Sequence, residues 1–277
     1  MTPLASRAPA VAGRFYPGSP VQARAQLEQL FPELSPTPAL GLVAPHAGWL
    51  YSGAIAAQAY AQVHVPDTVV VLCPNHTGRG ARRALWPSGV WRLPTGEVAV
   101  DDAVAAIAAE EMELVNDPDA HAHEHAIEVH LPLLQFLNPS VKIVPIVLGG
   151  HTFEACRRMG EGLARTVSRS GRDVLIVASS DMSHYLPAPH AQALDQLAIA
   201  RMLALDAVGL YQVVQEREIS MCGFIPASVM LVATVALGAV RAELVRYGHS
   251  GEVTGDDSSV VGYAGLVVRG LDGRRPD

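Results

Sequence analysis

Residues 68–77 read Thr-Val-Val-Val-Leu-Cys-Pro-Asn-His-Thr, an apolar run that stops at a proline and is followed by a histidine. A short β-branched run that ends in turn-forming residues is typical of a buried strand. Similar runs predict three more strands, at Ala39–Val43, Lys142–Leu148 and Asp173–Ala178. Continuous apolar runs of this kind favour a parallel sheet, because its strands are buried on both faces.

Longer stretches of helical character separate these runs. They predict helices at Gly53–Val63, Asp101–Glu111, Glu128–Leu137, Phe153–Ser170 and His190–Leu205. Alternating strands and helices are typical of an α/β fold with a largely parallel central sheet flanked by helices. Two later runs, separated by a loop rich in Gly, Asp and Ser, predict additional C-terminal strands that pair antiparallel. These are Ala239–Tyr247 and Val260–Arg269.

The composition is that of an ordinary globular chain. Of its 277 residues, 49% are hydrophobic and 17% are charged, and the interior contains no linker and no repeat. We therefore expect a single domain over 1–277, with a core over 10–269 and a frayed tail over 270–277. The apolar segment Phe224–Val240 is near the shortest length that spans a membrane and contains Pro226, so we interpret it as a buried helix.

Charge and cysteine content exclude several classes of function. The chain has 20 basic and 27 acidic residues, and Lys142 is its only lysine, so it lacks the basic tract of a nucleic-acid-binding protein. Three cysteines are too few for a disulfide scaffold. Residues 1–19 lack the apolar core of a signal peptide, and we expect a cytoplasmic protein without a membrane segment. The sequence also has no nucleophile elbow, phosphate-binding loop or dinucleotide fingerprint.

Three histidines follow predicted strands at equivalent positions. His46 comes after the first strand, His76 after the second and His184 after the fourth. The C-terminal ends of parallel strands meet at one edge of a sheet, where α/β folds build their sites. A single histidine there is more often a hydrogen-bonded structural residue, but three favour a common site. Prolines shortly before His46 and His76 stiffen the chain, which suits a preformed metal ligand.

Another histidine-rich segment runs from His121 to His130. On a helix that begins there, His125 and Glu128 share one face. A carboxylate beside an imidazole suits either an acid–base pair or the support of a ligand, whereas simple capping of a helix by acidic residues explains the pattern equally well. The spacing of His121, His123 and His125 permits chelation and is equally compatible with a solvated turn.

Cys222 lies at the predicted start of the apolar helix. A helix N-terminus favours the thiolate, which is the form that binds metals or attacks electrophiles. The alternative is a buried, unreactive cysteine, and this is our interpretation of Cys156 and Cys73.

A series of short motifs extends over nearly the whole chain. They are Ala12–Pro17, Pro45–Gly53, Pro74–His76, Glu124–Pro132, Ser179–Tyr185, Cys222-Gly223 with Pro226, and Val260–Ala264. Each motif is weak alone, but in this order they are highly specific. The chain resembles the Memo family (mediator of cell motility), whose bacterial and archaeal members are called AmmeMemoRadiSam system protein B.

This resemblance implies a fold similar to that of the class III extradiol dioxygenases, the non-haem iron enzymes that open catechol rings. It implies that His46, His76 and Cys222 occupy metal-binding positions. The dioxygenases use a carboxylate where this chain has Cys222. We would also expect a small residue such as glycine at Cys73, so a second sulfur lies near the expected site.

The resemblance further implies that His125, Asp181 and His184 belong to the same pocket. Two imidazoles and one thiolate would leave open positions on iron(II), the metal that we expect, although a soft thiolate makes copper and zinc competitive. With iron(II), the open positions would bind O2 and a phenolic substrate, with His125 or His184 as acid or base and Asp181 orienting an imidazole. With copper, one-electron redox chemistry or metal handling is more natural.

The expected function is therefore that of a metal-dependent oxidoreductase of dioxygenase-like type, which acts with O2 on a small phenolic substrate. The alternative is a non-catalytic binding or scaffold protein that works with AMMECR-type and radical-SAM-type partners, as the resemblance also implies. A zinc hydrolase is less favoured, because the sequence has no His-Glu-x-x-His motif.

Overall fold

The computed structural model describes residues 5–33 and 35–271. The strands formed by these residues are β1 (Ser6–Arg7), β2 (Gly41–Ala44), β3 (Thr68–Pro74), β4 (Arg83–Leu85), β5 (Val90–Leu93), β6 (Gly96–Val100), β7 (Val115–Asn116), β8 (Lys142–Leu148), β9 (Val174–Ser179), β10 (His184–Leu186), β11 (Ala239–His249) and β12 (Val260–Gly270). The helices are α1 (Pro20–Leu30), α2 (Trp49–Ala61), α3 (Asp102–Glu111), α4 (Asp119–Ala122), α5 (Leu131–Leu137), α6 (Phe153–Ser170), α7 (Ala188–Leu203), α8 (Ala207–Glu216), α9 (Phe224–Ala236) and α10 (Gly251–Thr254). A 3-10 turn, Glu128–His130, leads directly into α5.

The described strands join one sheet. Its main path has the order β1-β5-β6-β8-β3-β9-β2-β12-β10, while β11 pairs with β12 and β4 pairs with β7 and β8. The central pairs β6–β8, β8–β3, β3–β9 and β9–β2 are all parallel. Both β2 and β11 run antiparallel to β12, so the C-terminal strands extend the parallel sheet as predicted. This confirms an α/β fold with a largely parallel sheet and additional C-terminal strands.

Helices cover both faces of the sheet. An added Cβ at Gly41 in β2 would meet Met230 and Thr234 of α9, whereas an added Cβ at Gly265 in β12 would meet Ile55 and Ala59 of α2. Gly41 and Gly265 lie on opposite faces, because β12 pairs Leu266 with Val43 and Val268 with Gly41. The buried core therefore lies in two layers, one on each side of the sheet.

The limits of the helices and strands show where the local sequence pattern was sufficient to predict them. Lys142–Leu148 and Phe153–Ser170 have the predicted limits. Helix α2 begins at Trp49 rather than Gly53, and the Trp49 N–H donates to the carbonyl of Phe15 at 2.8 Å. The predicted helix Glu128–Leu137 begins as a 3-10 turn. Helices α1 and α8 and the short strands between β3 and β8 were not predicted.

The apolar segment of the sequence forms α9, which is 13 residues long and packs on the sheet. Within the described residues, no helix has the length and apolarity needed to cross a membrane. The predicted tail begins inside β12, which ends at Gly270, and residues 272–277 lie outside the described residues.

Candidate functional site

Three site residues follow three adjacent parallel strands. His46 comes two residues after β2, His76 two residues after β3 and Asp181 two residues after β9. Strand β9 lies between β3 and β2, so the three positions share one edge of the sheet. The sheet therefore brings His46 and His76 to one edge, as the sequence predicts, but the equivalent position after β9 holds Asp181, while the predicted third histidine, His184, begins β10 and lies outside the histidine cluster.

Three imidazoles form a cluster at this edge. One ring nitrogen from each of His46, His76 and His125 lies within 4.8 Å of the others. The ring centroids are 5.0 Å apart for His46 and His76, 5.3 Å for His46 and His125, and 4.7 Å for His76 and His125. Imidazole nitrogens at such separations can share one metal ion as ligands. The structure thus places His125 with the two expected ligands, where the sequence suggested an acid or base.

The Nδ1 atom of each clustered imidazole already has a protein partner. Nδ1 of His46 lies 2.6 Å from Oγ of Ser179. Nδ1 of His76 lies 2.9 Å from Oε1 of Glu124, and Nδ1 of His125 lies 3.3 Å from the same oxygen. Because a neutral imidazole has one donor and one acceptor nitrogen, these contacts leave Nε2 of each ring available for a metal.

Ser179 determines which tautomer His46 adopts. Its hydroxyl lies 2.7 Å from the carbonyl oxygen of Ala126, which only accepts, so the single hydroxyl hydrogen is donated there. The hydroxyl oxygen must then accept from both imidazoles that contact it, Nδ1 of His46 and, at 2.9 Å, Nε2 of His130. His46 is therefore protonated on Nδ1 and carries its lone pair on Nε2. Ser179 and His130 lie in or beside the motifs quoted above, but their sequence does not reveal this role.

Burial disfavours the charged forms of His46 and His125. Desolvation lowers the pKa of His46 well below its usual value, and the neighbouring histidines lower it further. Burial likewise lowers the pKa of His125 to about 4, although the carboxylate of Glu124 opposes the shift. For Glu124 itself, burial raises the pKa, but the hydrogen bond with His76 and the nearby imidazoles outweigh it, and the net shift is downward. The neutral form of His46 and His125 and the ionised form of Glu124 are the protonation states that a metal ion requires.

Cys222 lies against the same cluster. Its Sγ is 3.2 Å from Nε2 of His46 and accepts a hydrogen bond from the Asp181 N–H at 3.3 Å. Gly223 makes this approach possible, because a Cβ there would lie 2.2 Å from the carbonyl oxygen of Ser179. Burial raises the pKa of the Cys222 thiol, and Asp181 raises it further, so the helix start alone does not produce the expected thiolate. A metal ion would displace the proton.

The Asp181 carboxylate accepts hydrogen bonds from backbone N–H groups rather than from an imidazole nitrogen. Its Oδ1 accepts the N–H groups of His46 at 2.7 Å and Ala47 at 3.3 Å, and its Oδ2 lies 3.9 Å from Nε2 of His46. Burial raises the pKa of Asp181 to about 6, although these backbone N–H groups act in the opposite direction. The orienting contact that we expected from Asp181 is made to His46 by Ser179 instead.

His184 lies in the wall of the pocket. Its backbone N–H donates to Oγ of Ser220, and its Nδ1 lies 2.8 Å from the carbonyl oxygen of Ser220. Since a carbonyl oxygen only accepts, Nδ1 carries the proton and Nε2 is an acceptor. The next residue, Tyr185, has a φ of 60° at a register shift between β10 and β12. Such a conformation is strained for a tyrosine and is common at functional sites.

The predicted pairing of His125 with Glu128 is wrong, because the chain is not helical at His125 and Glu128 contacts different groups. The Glu128 carboxylate binds Nη1 of Arg7 at 2.7 Å, and Tyr16 Oη donates to it at 2.8 Å. The N–H groups of Ala10 and Val11 also donate to it, at 2.7 and 3.0 Å. The Arg7 and Glu128 side chains are 2% and 0% exposed, so this is a buried and fully hydrogen-bonded ion pair.

Arg7 also fixes the loop that carries His125. Its Nε donates to the carbonyl of His121 at 2.8 Å and its Nη2 to the carbonyl of Glu124 at 2.6 Å, while its guanidinium lies 4.1 Å from the centroid of the Trp91 ring. His121 is buried beside Trp91 and His123 is exposed. The possible chelating tract therefore contributes only His125 to the cluster.

The cluster opens into a cavity of about 500 Å³, a size usual for small-molecule sites. His46, His76, His125, Asp181 and His184 all line it. Aromatic side chains form much of the remaining wall: Phe15, Tyr51, Tyr185 and Tyr263. Cys73 is fully buried in β3, and burial raises the pKa of its thiol. Three convergent imidazoles, two of them hydrogen-bonded through Nδ1 and the third with Nδ1 near a carboxylate, fit a transition-metal ion together with the thiol beside them.

Comparisons with known proteins agree over almost the whole chain. A family model described as "Memo-like protein" matches residues 7–267. The MEMO1 family protein MTH_45 of Methanothermobacter thermautotrophicus is 40% identical over 274 residues, which cover 94% of this chain and 99% of the relative. The MEMO1 family protein Mbar_A1422 of Methanosarcina barkeri is 43% identical over 265 residues, with coverage of 95% and 99%.

Among solved structures, the fold is similar to that of the uncharacterized protein JW3007 from Escherichia coli K12. The TM-score is 0.51 and the sequence identity is 14%, and the match covers 83% of this chain and 99% of that chain. At this identity the likeness concerns the fold alone.

Proposed function

Since the chain belongs to the Memo-like protein family, we propose that it is a metal-dependent oxidoreductase of dioxygenase-like type, which uses O2 to oxidise a small phenolic substrate. The single observation that carries this proposal is the convergence of three imidazoles whose Nδ1 atoms all have protein partners. A set of histidines held in this way before a metal arrives is typical of a binding site rather than of a core.

We propose iron(II) as the metal because of the resemblance to the dioxygenases, with copper or zinc as alternatives. His46, His76 and His125 would supply three imidazole nitrogens, and Cys222 would add a sulfur from beside His46. Imidazole suits all three metals, while the soft sulfur shifts the preference towards copper(I) and zinc. Bound iron would bring O2 and the substrate together and pass electrons from the substrate to O2, so that the substrate is oxidised and O2 is reduced.

The remaining residues of the pocket have roles that their contacts define. His184 presents Nε2 as an acceptor from the wall of the cavity, so it is placed to take the proton of a phenolic hydroxyl group. Asp181 and Ser179 fix the backbone and the ring of His46. The aromatic wall would hold a substrate ring and exclude water from its faces.

Metal content after anaerobic purification tests the proposal. We expect near-stoichiometric metal in the wild type, and its loss in His46→Ala, His76→Ala and His125→Ala. His123→Ala is a matched control, because His123 is exposed only two residues from His125 and lies outside the cluster. Cys222→Ala reports whether the sulfur is a ligand.

Oxygen uptake then tests catalysis. Iron-loaded protein should consume O2 with phenolic compounds, and His184→Gln should slow this reaction while keeping the metal. Metal-loaded protein without uptake above background would support the alternative, a non-catalytic binding protein that works with AMMECR-type and radical-SAM-type partners.

A further inference from the structure

Arg14 is the one permanently charged cation among the described residues that line the cavity. Its side chain is exposed, and within the described part of the chain no hydrogen bond or ion pair engages its guanidinium. The chain has 27 acidic residues, and most of its other arginines have carboxylate partners. An arginine that faces a cavity without such a partner is free to bind an anion there.

The turn that carries Arg14 is held rigidly. The N–H of Arg14 donates to the carbonyl of Val11 at 3.0 Å, and the N–H of Gly13 donates to the carbonyl of Tyr16 at 2.7 Å. Gly13 has a φ of 79°, which only glycine adopts without strain. The buried Glu128 carboxylate binds the same turn through Val11 and Tyr16. The backbone that carries the exposed guanidinium is therefore rigid, as ligand recognition requires.

The groups next to Arg14 indicate what kind of molecule carries the anionic group. Phe15 lies beside His125 with ring centroids 4.8 Å apart, so the residue next to Arg14 in the chain contacts the histidine cluster. Tyr51, Tyr185 and Tyr263 complete an aromatic wall. Such a wall favours a flat ring, and a planar guanidinium binds a carboxylate through two parallel hydrogen bonds. A single guanidinium also matches the single charge of a carboxylate better than the double charge of a phosphate monoester.

We propose that the site takes an aromatic carboxylate and that Arg14 binds its carboxylate group. The inference rests on the proposed function, because the ring of that compound is placed beside the same histidine cluster. Arg14 thus determines specificity: it selects anionic rings over neutral rings of the same shape, while the histidine cluster holds the metal and His184 accepts the phenolic proton.

Binding of two isosteric probes tests this inference. Isothermal titration calorimetry under anaerobic conditions would compare 4-hydroxybenzoate with neutral 4-hydroxybenzamide, for both metal-free and iron(II)-loaded protein. We expect the wild type to prefer the benzoate by about tenfold, a value at the low end for a charged hydrogen bond because Arg14 is exposed. In Arg14→Gln this preference should disappear, so that the ratio of the two affinities is about one, while the affinity for the benzamide is unchanged.

Two variants complete the design. Arg24→Gln is the matched control, because it removes the same charge from α1, where Arg24 pairs with Glu28 at the surface. It should retain the full preference. Arg14→Lys keeps the charge but loses the planar fork, so it should retain more of the preference than Arg14→Gln.

The outcomes separate the two proposals. Equal binding of both probes by the wild type, or an undiminished preference in Arg14→Gln, would overturn the role of Arg14 even if the protein binds iron. Tighter binding of phenyl phosphate than of the benzoate would overturn the carboxylate assignment. An Arg14-dependent preference in a protein that takes up no metal would support this inference while the proposed oxidoreductase fails.

Discussion

Replacing Ser179 with Ala removes one hydroxyl group that three buried groups share. In the structure, Oγ accepts from Nδ1 of His46 and Nε2 of His130 and donates to the carbonyl of Ala126. Alanine leaves all three groups without this partner, and nothing then restricts His46 to the tautomer that presents a lone pair on Nε2. We therefore expect both stability and metal affinity to fall.

The magnitudes follow from the contacts. Each buried polar group left unpaired costs about 1–3 kcal/mol, and at the low end of that range three groups lower the free energy of unfolding by about 3 kcal/mol. Loss of a group that orients a metal-binding histidine typically lowers metal affinity about 10- to 100-fold. Both effects lie well above the scatter of ±0.5 kcal/mol usual for a neutral substitution.

Ser228→Ala provides a matched control. Ser228 is as fully buried as Ser179, but its Oγ has no hydrogen-bond partner among the described residues. The same chemical change there should leave stability unchanged or raise it. Urea unfolding of the metal-free proteins measures the first effect, and competition with a chelator measures the metal affinity of the folded variants.

Nitrogen NMR of the imidazoles gives an independent readout. In the metal-free wild type we expect His46 to be protonated on Nδ1 and unprotonated on Nε2, and this preference should weaken in Ser179→Ala. If Ser179→Ala matches Ser228→Ala in urea, in chelator competition and in the His46 tautomer, the proposed control by Ser179 is refuted.

Three further predictions concern buried ionisable groups. Glu128→Gln leaves the buried Arg7 guanidinium without its carboxylate and should lower the free energy of unfolding in urea by about 3–5 kcal/mol; an unchanged midpoint would contradict this. Glu124→Gln removes the negative charge beside two imidazoles and replaces one of the carboxylate oxygens by a donor, and chelator competition should show a loss of metal affinity of about 10- to 100-fold. Burial lowers the pKa of His121 and His130 to about 3, whereas the unfolded residues take up a proton near pH 6.5. Because the unfolded state binds more protons below pH 6.5, stability is complete above that pH and falls towards pH 3, by about 2 kcal/mol for each histidine at pH 5 in urea titrations.

Much of the fold could be predicted because its central elements have strong local patterns. Strand β8 is a continuous apolar run, since both faces of a central parallel strand are buried, and its limits match the prediction. Helix α6 has a clear apolar stripe and is capped by Thr152, whose hydroxyl accepts a hydrogen bond from the N–H of Ala155. The strands β4 and β7 are only three and two residues long. They exist because neighbouring strands supply their hydrogen bonds, so no local signal marks them.

The candidate site also contains some residues whose positions the local sequence predicts and others whose contacts it does not. The positions of His46 and His76 were predictable, because each follows a recognisable strand and parallel strands deliver such positions to one edge, whereas the third such position holds Asp181 and not the predicted His184. The pairing of His125 with Glu128 depended on a helix that does not extend to His125.

The sequence by itself determined the α/β fold, the family and the residues at the ends of the central strands. These follow from apolar periodicity and from short motifs, both of which are local properties of the chain. Only the tertiary structure decided which polar groups meet. Glu128 binds Arg7, which is 121 positions away, and Ser179 joins His46 to His130 across separations of 133 and 49 positions. A buried polar group takes whichever partner the packed chain brings within hydrogen-bond distance, and that partner is not encoded in its neighbours along the sequence.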